Sequence, residues 1–469
     1  MNAAERGIPE RIHMVGIGGI GLSAIARILA AWGCRVSGSD LRATPVTRGL
    51  NALGIRTFEG HRAEQVGDAE WVVVSSAVPE DNPEIRAARE AGIPVVKRHL
   101  LLGRMLAGAY GIAVAGTHGK TTTSAMLAVM LDALGLSPTF IVGGMVPQLG
   151  ANARAGTGPH FVVEADEYDR TFYGLRPDVA VVTNVEMDHP DCYPDLASMR
   201  EAFATFLAGV PAGGHIVACI DSAALADTLR AAPDLQAAVV TYGRSPAATY
   251  RLAGTAIAAD GRTQVTVRKG GEAWAECLLS VPGEHNALNA TAALVVADLL
   301  GLDPARAAAG LATYRGVDRR FQVKGEAGGV TVVDDYAHHP TEIRVTLAAA
   351  KQRFPGRRVV AVFQPHTYSR VQALYEEFLD CFGDADLVAV MDVYAARSRE
   401  VETLSAAALA GVLRHGAARY VGDANAAVDH LRDLLQPGDV LVTLGAGDGY
   451  LVGERLLARL SGDGVSDGV

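Results

Sequence analysis

Cysteine is scarce and poorly placed for pairing. Cys34, Cys192, Cys219, Cys277 and Cys381 are odd in number, scattered and never spaced C-x-x-C. That pattern excludes a disulfide framework, a zinc knuckle and a dithiol redox pair, and it reads as reduced thiols of a cytoplasmic protein. Basic clusters are lacking too. The 42 Lys and Arg residues face 52 Asp and Glu, a formal charge of −10, and no Lys/Arg run supplies the phosphate contacts of a nucleic-acid binder. No clean apolar run is long enough to span a bilayer. The uncharged stretch 133–153 is broken by Pro138, Pro147, Gln148, Asn152 and four glycines and reads as loop-rich. The apolar run 14–26 is too short to span, and it follows a mixed-charge leader (Glu5, Arg6, Glu10, Arg11) instead of a basic one. Neither membrane insertion nor an export signal is expected.

What is present is an ordinary globular composition: 49% hydrophobic, 20% charged, with glycine and proline together at about 15%. At roughly 150 residues per domain, 469 residues suggest about three domains. Short apolar runs alternate with helical patterns, as at 12–15 before 22–32 and 112–115 before 121–134. This predicts an α/β protein with parallel sheets. In the last third, strands near 330–333, 358–363, 386–391 and 440–444 alternate with helices such as 341–353 and 424–435, predicting a doubly wound unit. Between 250 and 279 the pattern is strand-rich, for example at 263–267, and predicts an antiparallel flank on the middle sheet. The expected domains are 1–104, 105–316 and 317–469. The tail after Leu460 (SGDGVSDGV) is expected to fray.

Two glycine-rich turns carry the chemistry. Gly16-x-Gly18-Gly19-Ile20-Gly21 follows a predicted strand and opens a helix, with Asp40 beyond it. Such glycines admit a diphosphate to a helix N-terminus, and the acid can hold a ribose hydroxyl. Alone it would suggest NAD, or merely a tight turn. The second turn is Gly116-Thr117-His118-Gly119-Lys120-Thr121-Thr122-Thr123. Its N–H groups can cradle phosphates, Lys120 can neutralise β and γ oxygens, and the Thr121 hydroxyl can ligate Mg²⁺. Val114 stands where the strict P-loop pattern has its first glycine. Two phosphate turns imply two phosphorylated ligands, which a single NAD site would not require.

Acids and histidines follow at expected strand ends. Glu164 ends the run Phe161-Val162-Val163-Glu164 and can take Mg²⁺ directly or through water, unless the acids are only a solvated loop. His189 in NVEMDHP, a lone histidine beside proline, reads by itself as a polar loop residue ahead of a metal ligand. Asp335-Tyr336-Ala337-His338 and Gln364-Pro365-His366-Thr367-Tyr368-Ser369-Arg370 each follow a strand and open a helix, where open α/β sheets bind ligands. Capping for Asp335 and solvation for His366 and Arg370 are the bland alternatives.

The order GIGGIGLSAIA, GTHGKTTT, EADEYD, NVEMDH, HNALNA, DRRFQ, DDYAHHP and QPHTYSR, from about residue 12 to 449, resembles the Mur ligases of bacterial cell-wall synthesis. The resemblance implies an N-terminal Rossmann-like domain for a UDP-sugar, a central P-loop ATPase-like domain and a C-terminal Rossmann-like domain for an amino acid. It implies an ATP-dependent amide-forming ligase. That enzyme would join L-alanine to the lactyl carboxylate of UDP-N-acetylmuramate through an acyl phosphate. A ligase that recycles a tripeptide onto the same sugar nucleotide, or a regulatory ATPase, are the alternatives.

By motif, the resemblance implies UDP-sugar contacts from Gly16, Gly18, Gly19, Ile20, Gly21, Asp40 and Ser75. It implies ATP contacts from Gly116, Thr117, His118, Gly119, Lys120, Thr121, Thr122, Asn286, Asn289, Arg320 and Asp335. Amino-acid contacts would come from Tyr336, His338, His366 and Arg370. Thr121, Glu164 and His189 would hold two Mg²⁺ ions, with Mn²⁺ able to substitute, and Lys120, Glu164, His189 and Arg320 would be catalytic. The partners implied are small molecules; monomer or dimer is left open. Two departures stand out. The run VVKRHLLL replaces an Arg-Ala-Glu run, which leaves Arg98 without a carried-over role, and Thr367 stands where several relatives have Arg.

Overall fold

The computed structural model describes residues 3–75, 77–232, 234–395 and 405–461. Most of the tail expected to fray lies outside them. Among the described residues three sheets form in chain order. The first has five parallel strands, with Arg11–Val15 at its centre, Arg35–Asp40 and Arg56–Glu59 on one side, and Trp71–Val74 and Val95–Lys97 on the other. The chain reverses direction across the sheet at that central strand, which puts the Gly16 turn in the crevice where such sheets bind ligands.

The second sheet has ten strands. The strand Tyr110–Ala115 runs parallel to Val179–Val182 on one side and His160–Glu164 on the other. Thr263–Lys269 pairs antiparallel with Tyr250–Ile257 and Glu272–Leu279, so the expected antiparallel flank is present. The segment 133–153, expected to be loop-rich, instead contributes Thr139–Val146 and Ala151–Arg154, an antiparallel pair at the other edge. Phe140, Ile141 and Val142 bury their side chains there. The glycines that looked like loop formers let the strand pass the Glu164 carboxylate, whose oxygens lie 2.6 and 2.7 Å from where a Cβ on Gly143 would stand.

The third sheet orders Gln322–Ala327, Val330–Asp335, Val440–Leu444, Val359–Phe363, Leu387–Met391 and Ala418–Gly422, parallel except for the first. The doubly wound expectation holds, with one antiparallel edge strand that the polar sequence QVKGEA concealed. Helices begin at Pro340 and Ala424, one residue off and on the expected start.

Core packing divides the molecule unevenly. One apolar cluster runs from Ile12 and Met14 of the first sheet and Leu22 of the helix after it to Ala113 and Phe161 of the second sheet and Phe203 of the helix Leu196–Ala208. The third sheet has its own cores on both faces, touched from the middle region by Met187. Its junction with the rest is otherwise mostly polar. Among the described residues no helix is long and apolar enough to cross a membrane.

Candidate active site

Strand register assembles the phosphate turn. Val114 pairs with Glu164 and Ala115 with Val182, so the turn after Ala115 emerges between an acidic strand end and Thr183-Asn184. Gly116 adopts φ +133°, and a Cβ there would meet Thr183 Oγ1 at 2.0 Å, so only glycine fits. Asn184 replaces the missing first glycine as the organiser of the loop. Its backbone carbonyl accepts from Thr117 N–H at 3.1 Å and its side-chain oxygen from His118 N–H at 2.9 Å. The helix Lys120–Ala133 starts at once, buried over most of its length.

Lys120 donates to the carbonyls of Gly116 (2.6 Å) and Thr117 (3.0 Å) and to Glu167 Oε1 (2.7 Å). Burial works against its charge, but Glu167 and Asp166 outweigh it and raise its pKa. Glu167 is fully buried, its Oε1 also 3.6 Å from His189 Nε2, and its Oε2 has no hydrogen-bond partner among the described residues. It was missed because in EADEYD the strand-end Glu164 drew the metal assignment; three residues on, a bend turns Glu167 inward against the lysine.

Glu164 accepts from the Thr121 hydroxyl at 3.0 Å and from Gly143 N–H at 2.6 Å. Burial nevertheless raises its pKa, against Lys120 and these donors. A half-buried carboxylate still short of positive charge, bonded to a hydroxyl and sharing a cavity with an imidazole, suits a hard divalent cation. Glu164, Thr121 and His189 line one cavity, so the donor set fits Mg²⁺, the imidazole being the softer member. His189 sits at φ +53° and its pKa is raised by Asp188 and Glu167, against burial.

The third sheet sends its loops into the same region. Asp335 accepts from Phe321 N–H and Ala337 N–H, both at 2.7 Å. Burial lifts its carboxyl to about 6, with Arg320 opposing. Tyr336 lies between the guanidiniums of Arg319 and Arg320, 5.0 and 5.1 Å from its ring centre. His338 packs edge-on against His366, which stacks on Tyr394. Burial and then Arg370 drop the His338 ring to about 3, leaving it neutral. Arg370 is bonded to Asp188 and His366, and the pairing with Asp188, 182 residues away in the chain, left no trace in the local pattern.

Two cavities meet here. One, of about 570 Å³, is lined by His118, Gly119, Thr122, Asn286, Asn289, Tyr314 and Asp335; the other, of about 990 Å³, by Ile20, Gly21, Lys120, His189, Tyr336, His338, His366 and Arg370. Thr121, Arg320 and Glu342 line both. Within the first cavity Asn286 donates to Pro282 O at 2.6 Å, and Asn289 lies 3.5 Å from Asn286 Oδ1. A third cavity of about 440 Å³ is lined by Ser75, Lys97 and Arg98. Arg98 borders the second cavity as well, its Nη2 3.4 Å from Asp166, and its Nη1 would lie 2.2 Å from a Cβ on Gly21. The residue left without a role therefore stands where the first glycine turn meets the central domain. Asp40 uses Oδ2 to accept from Gly18 N–H at 2.9 Å and Oδ1 to accept from Leu41 N–H at 2.8 Å, bracing that turn.

His118, Glu186 and His339 offer three ligand atoms within 4.8 Å of one another, yet their lone pairs are committed. His118 faces Glu186 at 2.8 Å and Glu342 at 3.4 Å, which against burial lift it to about 9 and keep it an imidazolium. His339 Nδ1 accepts from Thr341 N–H at 3.2 Å. This is an ion-pair cluster.

A glycine-rich loop between a strand and a helix, and a second cavity that shares Thr121, Arg320 and Glu342 with the first, define a multidomain α/β nucleotide-dependent enzyme. Residues 11–110 match the model described as Mur ligase family, catalytic domain; residues 114–297 match the Mur ligase middle domain, and 319–447 the Mur ligase, glutamate ligase domain. The chain belongs to the Mur ligase family. It is 46% identical over 458 residues to the UDP-N-acetylmuramate–L-alanine ligase of Geotalea uraniireducens, covering 97% of this chain and 99% of that one. It is also 46% identical over 462 residues to the ligase of that name from Salinibacter ruber (97% and 96%). Among solved structures it is similar to the UDP-N-acetylmuramate-alanine ligase of Thermotoga maritima, with TM-score 0.80 and 32% identity over 97% of this chain and 100% of that one. A murein peptide ligase from Psychrobacter arcticus matches at TM-score 0.71 and 26% identity over 97% and 99%.

Proposed function

We propose that this chain joins L-alanine to the lactyl carboxylate of UDP-N-acetylmuramate at the expense of ATP, a step of peptidoglycan synthesis. The observation that carries this reading is the shared wall of Thr121, Arg320 and Glu342 between a nucleotide-sized cavity and one reached by the first glycine turn and the third-domain histidines. Residues 1–104 would bind the UDP-sugar, 105–316 ATP, and 317–469 the amino acid. A cytoplasmic location follows from ATP and a sugar nucleotide as substrates.

Carboxylate and amine are both ionised at neutral pH and water is a poor leaving group, so the acid must be activated. The lactyl carboxylate attacks the γ-phosphorus, ADP departs, and an acyl phosphate forms. Lys120 and Arg320 offset the charge that two anions bring together. The alanine amine then attacks the acyl carbon, and the tetrahedral adduct expels phosphate to leave the amide. Neutral His338, with His366 beside it, lines that cavity and adds no positive charge against the incoming ammonium. Arg370, which lines that cavity and is paired with Asp188 through Nε, would hold the alanine carboxylate. Mg²⁺ held by Thr121, Glu164 and His189 would supply electrostatic neutralisation of the triphosphate.

Phosphate release tests the reading: ATP, Mg²⁺ and UDP-N-acetylmuramate are combined with single amino acids or with the tripeptide. Release that requires both the sugar nucleotide and L-alanine is expected. Release with the tripeptide and not with alanine would move the chain to the recycling reaction.

A further inference from the structure

Glu342 takes no part in the chemistry above, yet charged and polar groups from three segments converge on it. The side chain is 12% exposed and lies on the first turn of the helix Pro340–Arg353. Oε2 accepts from the backbone N–H of His338 at 3.1 Å and of His339 at 3.4 Å, and lies 3.3 Å from His338 Nδ1. Oε1 points the other way, 3.4 Å from His118 Nδ1 in the phosphate loop and 3.5 Å from Arg320 Nη1.

The plain account is a helix cap, since Glu342 occupies the third helical position of a capping box with His339. A cap explains Oε2 alone. Oε1 faces an imidazolium and a guanidinium, and a cap has no use for either. The His118 partner belongs to a domain that shares almost no apolar core with the third sheet, so such polar contacts set how the two lie together.

We propose that Glu342 is a positioning residue that couples occupancy of the nucleotide loop to assembly of the amino-acid site. One oxygen fixes the His338 loop, and the other, beside Arg320 of its own domain, reaches His118 only when the third domain is seated on the loop. Triphosphate that orders the loop and Arg320 therefore favours the seated arrangement in which His338, His366 and Arg370 face the second cavity. By reciprocity the amino acid tightens nucleotide binding. This inference rests on the ligase reading, and its test separates the two.

Binding of a non-hydrolysable ATP analogue is measured by calorimetry with UDP-N-acetylmuramate present, with and without L-alanine. In the wild type, alanine should tighten the analogue about tenfold, within the usual range of coupling between sites. Glu342→Gln keeps a capping acceptor of the same size and loses the charge. It should keep the fold and wild-type UDP-sugar affinity while losing most of that factor. His118→Gln should lose it too, and the double variant should lose no more than either alone. Full coupling in Glu342→Gln, additive losses in the double variant, or binding of both ligands without coupling in the wild type would overturn the inference and leave the ligase reading standing. A wild type that binds neither analogue nor alanine would overturn the ligase reading itself.

Discussion

Arg370 donates from Nε to Oδ1 of Asp188 at 2.8 Å, joining the third domain to the middle one through a pair in which each side chain is 5% exposed. Burial alone would raise the Asp188 carboxyl; His189 and then Arg370 hold it well below the usual carboxylate range. Removing one partner of such a pair strands a buried charge, at a cost of about 3–5 kcal/mol. Here the cost falls on the seated arrangement of domains. Asp188→Ala should therefore raise the KM for alanine more than that for ATP and enlarge the radius of gyration in small-angle scattering. An unchanged radius with an unchanged alanine KM would contradict a role in holding the domains.

Lys120→Ala should lower kcat by at least about a hundredfold, the scale of removing one electrostatic stabiliser of a transition state. UDP-sugar affinity should stay at the wild-type value. The same change strands Glu167, which has no exposure and one oxygen already unpartnered among the described residues. Tm should fall, and adding Glu167→Gln should recover much of it without restoring turnover. If the double variant is no more stable than Lys120→Ala, the lysine does not compensate that carboxylate.

Glu164→Gln and His189→Ala should each shift the Mg²⁺ titration of activity to higher concentration, because each removes a proposed donor from the cavity wall. A wild-type titration curve for either variant removes that residue from the ligand set. His189→Ala should shift the Mn²⁺ curve more than the Mg²⁺ curve, since imidazole suits the softer ion.

His118 yields a pH-dependent stability with a definite sign. Its folded pKa of about 9 exceeds the unfolded value of 6.5, so the stability it confers is fully present below 6.5 and is lost as pH rises through 9. Chemical denaturation should show His118→Gln less stable than wild type by about 2 kcal/mol at pH 6, with the gap closing by pH 9.5. A gap independent of pH would mean the ring is neutral in the folded protein.

Local patterns were readable because they depend on neighbours in the chain. Strand–glycine–helix order set Gly16–Gly21 and Gly116–Thr121 at helix starts, and the helix Ala424–Leu434 begins where expected. Where a glycine serves a distant side chain, the same logic misled: Gly143 and Gly144 looked like loop and lie in a strand that makes room for Glu164 and Val317. Arg98 could not be placed from its own segment, because what gives it a position is Gly21 and Asp166.

Composition, hydrophobic period and motif order were thus enough to determine an α/β chain carrying two phosphate turns and a family likeness. Only the tertiary structure decided which charges face one another: Lys120 with Glu167, Asp188 with Arg370, and His118 with Glu342. Each pair is separated by more than forty residues in sequence. Coulombic and hydrogen-bond energies depend on separation in space and on burial, and chain position encodes neither until the sheets are packed.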